Sequence, residues 1–384
     1  MPRHPNVAPA TEAMTGSLFS KLTHRIAAIS GERFALHVGD TYLDPAPGGQ
    51  MEDLKTAEHS GLNRYASPHG HPTLLDALVR KHEVETERLL VTTGATGALD
   101  ATCGALLAPG DEVLILAPYW PLIRGIVTAR HGQAKEVPFY DRLAADPATA
   151  ATQVDRLLLP YVSERSVALY VNTPNNPTGR VLAPPVQAAV ADFARRHELW
   201  LWSDEVYAEY AWARPHSSVA EHAPERSFAI YSFSKAYGMA GNRCGYIIGP
   251  DDPRFMADVR KISTHSFYSA PTASQLAAAH VLEHGASWLT YASESYLAAG
   301  RSAARTLGLA DPEGGTFLFI DVKDHLDSRG LRGLLEDCID RGLVLAPGSS
   351  CGADYGTYVR LCFTCAPPDV VERGVNVLAE ILAR

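Results

Sequence analysis

Lys235 lies in the stretch SFSKAYGMAGNR (residues 232–243), directly after the apolar run of residues 227–231. That run reads as a buried strand. An amine held at a strand end in a partly desolvated pocket has a lowered pKa and can form a Schiff base with a carbonyl. Ser232, Ser234 and Arg243 place two hydroxyls and a guanidinium close by, a set suited to a phosphate. Two other readings stand beside this one. The first is a surface lysine in a Ser/Gly-rich loop. The second is the Ser-x-x-Lys of serine acyl-enzymes, but its companions Ser-Asp-Asn and Lys-Thr-Gly do not occur in the chain.

Other residues with chemical potential fall where apolar runs end. Gly94-Ala95-Thr96 joins a strand-like run to a helical one, so free amides and the helix dipole there can hold a phosphate, or merely form a turn. The segment from Asn172 to Gly179, NTPNNPTG, is dense enough in Pro, Asn and Gly to demand a rigid loop, and Asn176 is the residue to aim at a ligand oxygen. Asp204 ends the run LWLWS and is followed by Glu205-Val206-Tyr207. A buried acid at a strand end is costly unless it meets a cation, and a protonated pyridine would be one. A paired acid capping a helix is the plainer alternative. Trp120 can cover a flat ring or simply pack in the core. Arg360 interrupts the apolar run YVRLCF, and a buried arginine calls for an anion such as an α-carboxylate.

The elements that must position these residues alternate. Strand patterns at 89–93, 112–116, 133–137, 167–172, 199–203, 227–231 and 244–248 have helical segments among them, including 96–107 and 121–131. An amphipathic helix at 71–83 precedes them. The alternation predicts a mostly parallel sheet covered on both faces, with ligands beyond the carboxyl ends of its strands. After Pro271 a long helical tract to about residue 309 leads to a strand at 316–322, a helix at 331–341, a strand at 357–363 and a closing helix from about 369. That order predicts a second, smaller α+β domain. The expected division is an N-terminal arm with part of the small domain at 1–45, a large domain at 46–284 and a small C-terminal domain at 285–384. Residues 1 to about 30 read as a polar arm leading into a short helix.

Composition narrows the function further. The chain has 384 residues, 46% apolar and 20% charged, with a net charge of −9. The acidic balance gives no footprint for nucleic acid or an anionic membrane. No window approaches the roughly 18 apolar residues of a membrane span, and the N-terminal stretch lacks the apolar core of a secretory signal. Six scattered cysteines predict a reduced, cytoplasmic protein rather than a disulfide framework. Cys362-Phe-Thr-Cys365 has no second pair to complete a zinc site, and it trails a strand instead of opening a helix, so packing is expected of it. His280 and His284 share a helix face without a third ligand.

Taken together, the Asn-Pro-Thr-Gly, Asp-x-x-Tyr and Ser-x-Ser-Lys motifs and the late Arg360 resemble the pyridoxal phosphate-dependent aminotransferases of class I/II, fold type I, the aspartate aminotransferase superfamily. The resemblance runs from about Leu36 to the end, in that family's order. It implies a large domain with a mostly parallel sheet between helices, a smaller α+β domain and pyridoxal 5′-phosphate as cofactor. By the same resemblance, Lys235 is the Schiff-base lysine and proton shuttle, and Asp204 pairs with the pyridine nitrogen. Tyr207 and Asn176 contact the ring's phenolic oxygen, Trp120 stacks on the ring, and Ala95, Thr96, Ser232, Ser234 and Arg243 hold the phosphate. Gly39 and Arg360 would take the substrate carboxylate. Tyr65 and Ser269 would reach the cofactor of a neighbouring subunit, which implies a homodimer with shared sites.

The resemblance implies amino transfer from an amino acid to a 2-oxo acid by ping-pong kinetics. A carbon–sulfur β-lyase of the same fold is the alternative. Transcription regulators that use this fold need a DNA-binding module, and the stretch before Leu36 is too short for one. Relatives that favour acidic donors carry an arginine where this chain has His265, or a lysine where it has Thr96. With neither cation present, and with Tyr42, Phe267 and Tyr268 available as a wall, a donor with a neutral side chain is expected.

Overall fold

The computed structural model describes residues 7–14 and 18–383, so parts of the expected arm, residues 1–6 and 15–17, lie outside the described residues, as does Arg384. Within the arm, Pro9–Glu12 and Leu18–Ala27 are helical.

Seven strands build the main sheet: β1 (Leu89–Thr92), β2 (Glu112–Ala117), β3 (Gln133–Pro138), β4 (Ser166–Asn172), β5 (Trp200–Asp204), β6 (Ser227–Ser232) and β7 (Gly245–Ile248). Their spatial order is β1-β7-β6-β5-β4-β2-β3. Successive side chains on a strand point to opposite faces, and here each face has its own core. Val113, Ile115 and Tyr170 pack with Ala98, Leu99 and Val259 on one side. Leu114, Leu116, Leu169 and Val171 pack with Val154, Val190 and Phe193 on the other. Burial on both faces explains why β2 and β4 read as nearly unbroken apolar runs. Leu114 has no exposed surface, so truncating it to Ala would cost about 2–5 kcal/mol.

Six strands point the same way, and only β7 is reversed, pairing antiparallel with both β6 and β1. The reversal matters for the site. Because β7 runs backwards, its first residue, Gly245, lies beside the last residues of its neighbours, Ser232 and Thr92. Arg243, two residues ahead of β7, is thereby delivered to the same edge as Ser232, Asp204 and Asn172.

A second sheet of three antiparallel strands follows: β8 (Phe317–Asp321), β9 (Ala346–Pro347) and β10 (Tyr358–Cys362), in the order β8-β10-β9. Arg360 sits at its centre, opposite Phe319 on one side and Ala346 on the other. Its core joins Leu22, Ile26, Phe34 and Leu36 from the N-terminal side with Leu334, Leu335, Val359, Val375 and Leu378. The expected long helical tract is two helices, Thr272–His284 and Ala286–Thr306, separated by Gly285. The short β9 was not expected, because two residues are too few to show a period-two pattern.

Candidate active site

The carboxyl edge of the main sheet opens into a cavity of about 210 Å³. Gly39, Ala95, Thr96, Trp120, Asn176, Asp204, Tyr207, Ser232, Ser234, Lys235, Arg243 and Arg360 all line it, joined by Asn172, Val206 and Ala240. Residues scattered over more than 300 positions thus meet because strand ends converge.

Asp204 closes β5 and is buried. The Tyr170 hydroxyl donates to its Oδ2 at 2.5 Å, and the Val206 amide donates to Oδ1 at 3.2 Å. Burial pushes its carboxyl up to about 6, against the pull of these two hydrogen bonds. No cation pairs with it among the described residues. A buried acid with only neutral donors around it fits a cationic ligand.

β4 holds the neighbouring loop. Asn172 Nδ2 donates to the Asp204 carbonyl at 2.9 Å, and Asn172 Oδ1 accepts from the Asn176 amide at 2.7 Å. Asn176 in turn approaches Tyr207 Oη at 3.4 Å and accepts from Arg360 Nη1 at 2.8 Å. Burial lifts the Tyr207 phenol above its ordinary range, so it is a neutral hydroxyl near pH 7.

Arg360 brings the small sheet to the cavity. Its Nη2 donates to the His37 carbonyl at 3.0 Å, and its guanidinium carbon lies 4.3 Å from the centre of the Phe317 ring. Its Nε is buried without a hydrogen-bond partner among the described residues. Among the described residues its hydrogen-bond and ring partners are all neutral, which leaves it fitted to an anion such as a carboxylate.

The opposite rim is rich in donors. The helix Gly94–Leu106 points its N-terminus at the cavity, where first-turn amides have no partner within the helix. Gly94 has φ +76°, and a Cβ there would come within 2.8 Å of the Arg243 guanidinium. Ser232 Oγ caps the short turn that carries Lys235, accepting from the Ser234 amide at 3.1 Å and donating to Ser234 Oγ at 2.8 Å. Arg243 completes this rim with a left-handed backbone, φ +54°. Two hydroxyls, a guanidinium and a helix N-terminus suit a phosphate dianion.

Lys235 Nζ donates to the Gly39 carbonyl and lies 3.8 Å from Asp40 Oδ1. Its side chain is largely buried, and burial pulls its ammonium below the usual lysine range while Asp40 opposes that shift. A Cβ on Gly39 would come within 2.8 Å of the Phe317 ring, so a side chain there would push the loop off the lysine.

Six residues marked by the sequence, Tyr42, Tyr65, His265, Phe267, Tyr268 and Ser269, do not line this cavity. Tyr42 borders a separate cavity with Tyr291 and Val375. Tyr65 is 88% exposed and meets Tyr268 edge to face, ring centres 5.1 Å apart; Ser269 lies in the same corner. His265 is exposed, with Nδ1 2.7 Å from the Lys261 carbonyl. Sequence reasoning missed Asn172, Tyr170 and Asp40. Asn172 begins the NTPNNPTG stretch and was open to detection. Tyr170 looks like any core aromatic until the β4–β5 pairing, Asn172 opposite Asp204, brings its hydroxyl to the acid.

Comparison with known proteins agrees with this arrangement. The model of the family described as aminotransferase class I and II matches residues 36–378. An aspartate/prephenate aminotransferase of Thermus thermophilus is 31% identical over 371 residues, covering 91% of each chain. A probable aspartate/prephenate aminotransferase of Thermus aquaticus is 35% identical over 71% of this chain and 69% of that one. Among solved structures, a double mutant of the Thermus thermophilus aspartate aminotransferase superimposes with a TM-score of 0.88 at 26% identity, covering 98% of this chain and 100% of the other. These findings favour amino transfer over carbon–sulfur elimination. With a match spanning nearly the whole chain, the protein belongs to the class I and II aminotransferases, and it is an aminotransferase whose cofactor is pyridoxal 5′-phosphate.

Proposed function

We propose that this cavity is where the chain exchanges an amino group between an amino acid and a 2-oxo acid, with Lys235 as the reacting lysine. The observation that carries the reading is the pairing, in one cavity, of a buried acid lacking a cation (Asp204) with a buried cation lacking an anion (Arg360). The cofactor supplies an aldehyde and a cationic ring that withdraws electrons from the substrate's α-carbon. Asp204 would hold the ring nitrogen, and a cation there would keep its carboxyl ionised despite burial. Ala95, Thr96, Ser232, Ser234 and Arg243 would hold the phosphate. Tyr207 and Asn176 would face the ring oxygen, with Trp120 over the ring. Arg360 would take the substrate carboxylate alongside the Gly39 backbone. Nζ of Lys235, whose ammonium form burial disfavours, would in its neutral form remove the α-proton and return it on the opposite side of the exchange.

The division proposed for the chain is 1–45 and 285–384 around the small sheet and 46–284 around the large one. Its support is that Leu22 to Leu36 and Ala303 to Ile381 share one core. A homodimer is proposed on the exposed Tyr65–Tyr268 corner, from which Tyr65 and Ser269 would complete a partner's site. No helix of the described residues is long and apolar enough to cross a membrane. A reducing, cytoplasmic location is proposed because all six cysteines are free. The test is to supply an amino donor with and without a 2-oxo acid while following keto acid and ammonia. Stoichiometric keto acid without acceptor, then turnover with it, is expected. Continuous ammonia release without acceptor would overturn the reading.

A further inference from the structure

The loop that carries Gly39 has a second group aimed at the reacting lysine. Asp40 Oδ1 lies 3.8 Å from Lys235 Nζ, the nearest carboxylate to that amine among the described residues. The position of Asp40 is fixed from both ends. Its own Oδ1 accepts from the Thr41 amide at 2.9 Å, and its amide donates to the Val38 carbonyl at 3.0 Å. Its carbonyl accepts from Thr364 Oγ1 at 2.6 Å and from Cys362 Sγ at 3.5 Å, and Tyr42 N donates to the Thr364 carbonyl at 2.8 Å. The loop is therefore stitched to the turn after β10, the strand that carries Arg360.

The charges around Lys235 are unequal. From β10 and the turn before β7 come two cations, Arg360 and Arg243, which disfavour an ammonium; Cys362 is also on β10. From β5 and the turn after it come Asp204 and Tyr207, on the cavity wall. Burial acts in the same sense as the two cations. Asp40 is the nearest group that opposes them, and Cys362 acts in the same sense to a lesser extent.

We propose that Asp40 is a positioning residue that serves as the counter-ion of Lys235 whenever its amine is free, holding the ammonium beside the Gly39 carbonyl. The proposal rests on the reading of Lys235 as the reacting lysine. When Nζ is bonded elsewhere, Asp40 loses its cation and its half-exposed carboxylate turns to solvent. When Nζ is released, Asp40 favours the ammonium form of the amine. The sign follows: removing the Asp40 charge lowers the pKa of Lys235 and raises the neutral fraction at a given pH. An exposed partner limits the effect to about half a pH unit, about threefold in neutral amine at pH 7.

The experiment labels the full-length, cofactor-free chain with trace acetic anhydride between pH 6 and 10 and reads Lys235 by peptide mass spectrometry, relative to the exposed Lys21. Asp40→Asn should shift the Lys235 profile to lower pH and raise its labelling at pH 7 about threefold. Asp40→Ser, which keeps an acceptor for the Thr41 amide, should do the same if the Asn variant folds poorly. Asp40→Glu should restore the profile at least in part, and Asp44→Asn, at an exposed neighbouring position, should leave it unchanged. Superimposed profiles for the parent chain and the folded variants would overturn the proposal, as would a shift of equal size in Asp44→Asn. Since no turnover is needed, that outcome would leave the aminotransferase reading standing.

Discussion

The rim of the main sheet and the corner around Tyr65 hold residues of one proposed site, yet they are built in opposite ways. At the rim, Asp204, Asn176, Ser232 and Lys235 follow directly from buried strands, and each is held by at least one contact within the chain. At the corner, Tyr65 stands 88% exposed, against the partly exposed Tyr268, on a stretch fixed by the Thr272 hydroxyl donating to the Arg64 carbonyl at 2.6 Å. One chain thus preorganises the side that would grip the ring and phosphate. The other side presents an aromatic pair to whatever packs on it, and we propose that this is a second copy.

If the rim is the chemical centre, the largest effect comes from Lys235. Lys235→Ala should abolish transamination, and borohydride reduction of the parent protein with its cofactor should fix the label on Lys235 in a peptide map. A label on another lysine would remove the rim from the chemistry altogether. Next comes Asp204→Asn, which removes the charge opposite the ring nitrogen while keeping the shape. It should lower kcat about a thousandfold or more with the cofactor still retained. A variant with near-normal turnover would make Asp204 a structural acid held by Tyr170.

Arg360 links the rim to the small sheet. Replacing it with Ala should lower kcat/KM about a hundredfold, mostly through KM, because the bidentate carboxylate contact is lost. An effect confined to stability would show that its neutral contacts, Asn176, the His37 carbonyl and the Phe317 ring, are the whole of its role. At the corner, Tyr65→Ala should cost about tenfold in cofactor retention, the worth of one hydrogen bond to a charged group. Mixing Tyr65→Ala with Lys235→Ala protein should then restore activity, because a hybrid pair would contain one intact site. No recovery after subunit exchange would mean that the corner belongs to no shared site.

The same contrast explains what could be read from the sequence. Strands buried on both faces leave uninterrupted apolar runs, so β2, β4, β5 and β6 and the polar residues that end them stand out. Residues that act through pairing across strands do not. Tyr170 is camouflaged as core, and Asp40 meets Lys235 across 195 positions through a loop with no regular period. Arg243 could be picked out only through its neighbours, since the reversal of β7 that delivers it leaves no trace in an apolar run of four. The corner residues Tyr65 and Ser269 were marked by family resemblance alone, because exposure carries no periodic signal.

The smallest effect, and the most demanding of the corner, concerns the amino donor. The cations lining the cavity are Lys235, Arg243 and Arg360, and each already has a proposed partner in the amine exchange, the phosphate or the α-carboxylate. A second carboxylate, as in aspartate, would need a further cation to offset its desolvation. Within the chain His265 does not fill that place: it is exposed, outside the cavity, with its Nδ1 against the Lys261 carbonyl. An imidazole also gives a carboxylate a weaker hold than the bidentate fork of a guanidinium. The expected result is a kcat/KM for phenylalanine, leucine or methionine about tenfold above that for aspartate, the scale set by one carboxylate left without its cation. His265→Ala should change that ratio by less than about threefold, since an exposed side chain outside the cavity contributes little. A preference for aspartate that vanishes in His265→Ala would reverse the conclusion, because it would make the imidazole the group that holds the second carboxylate.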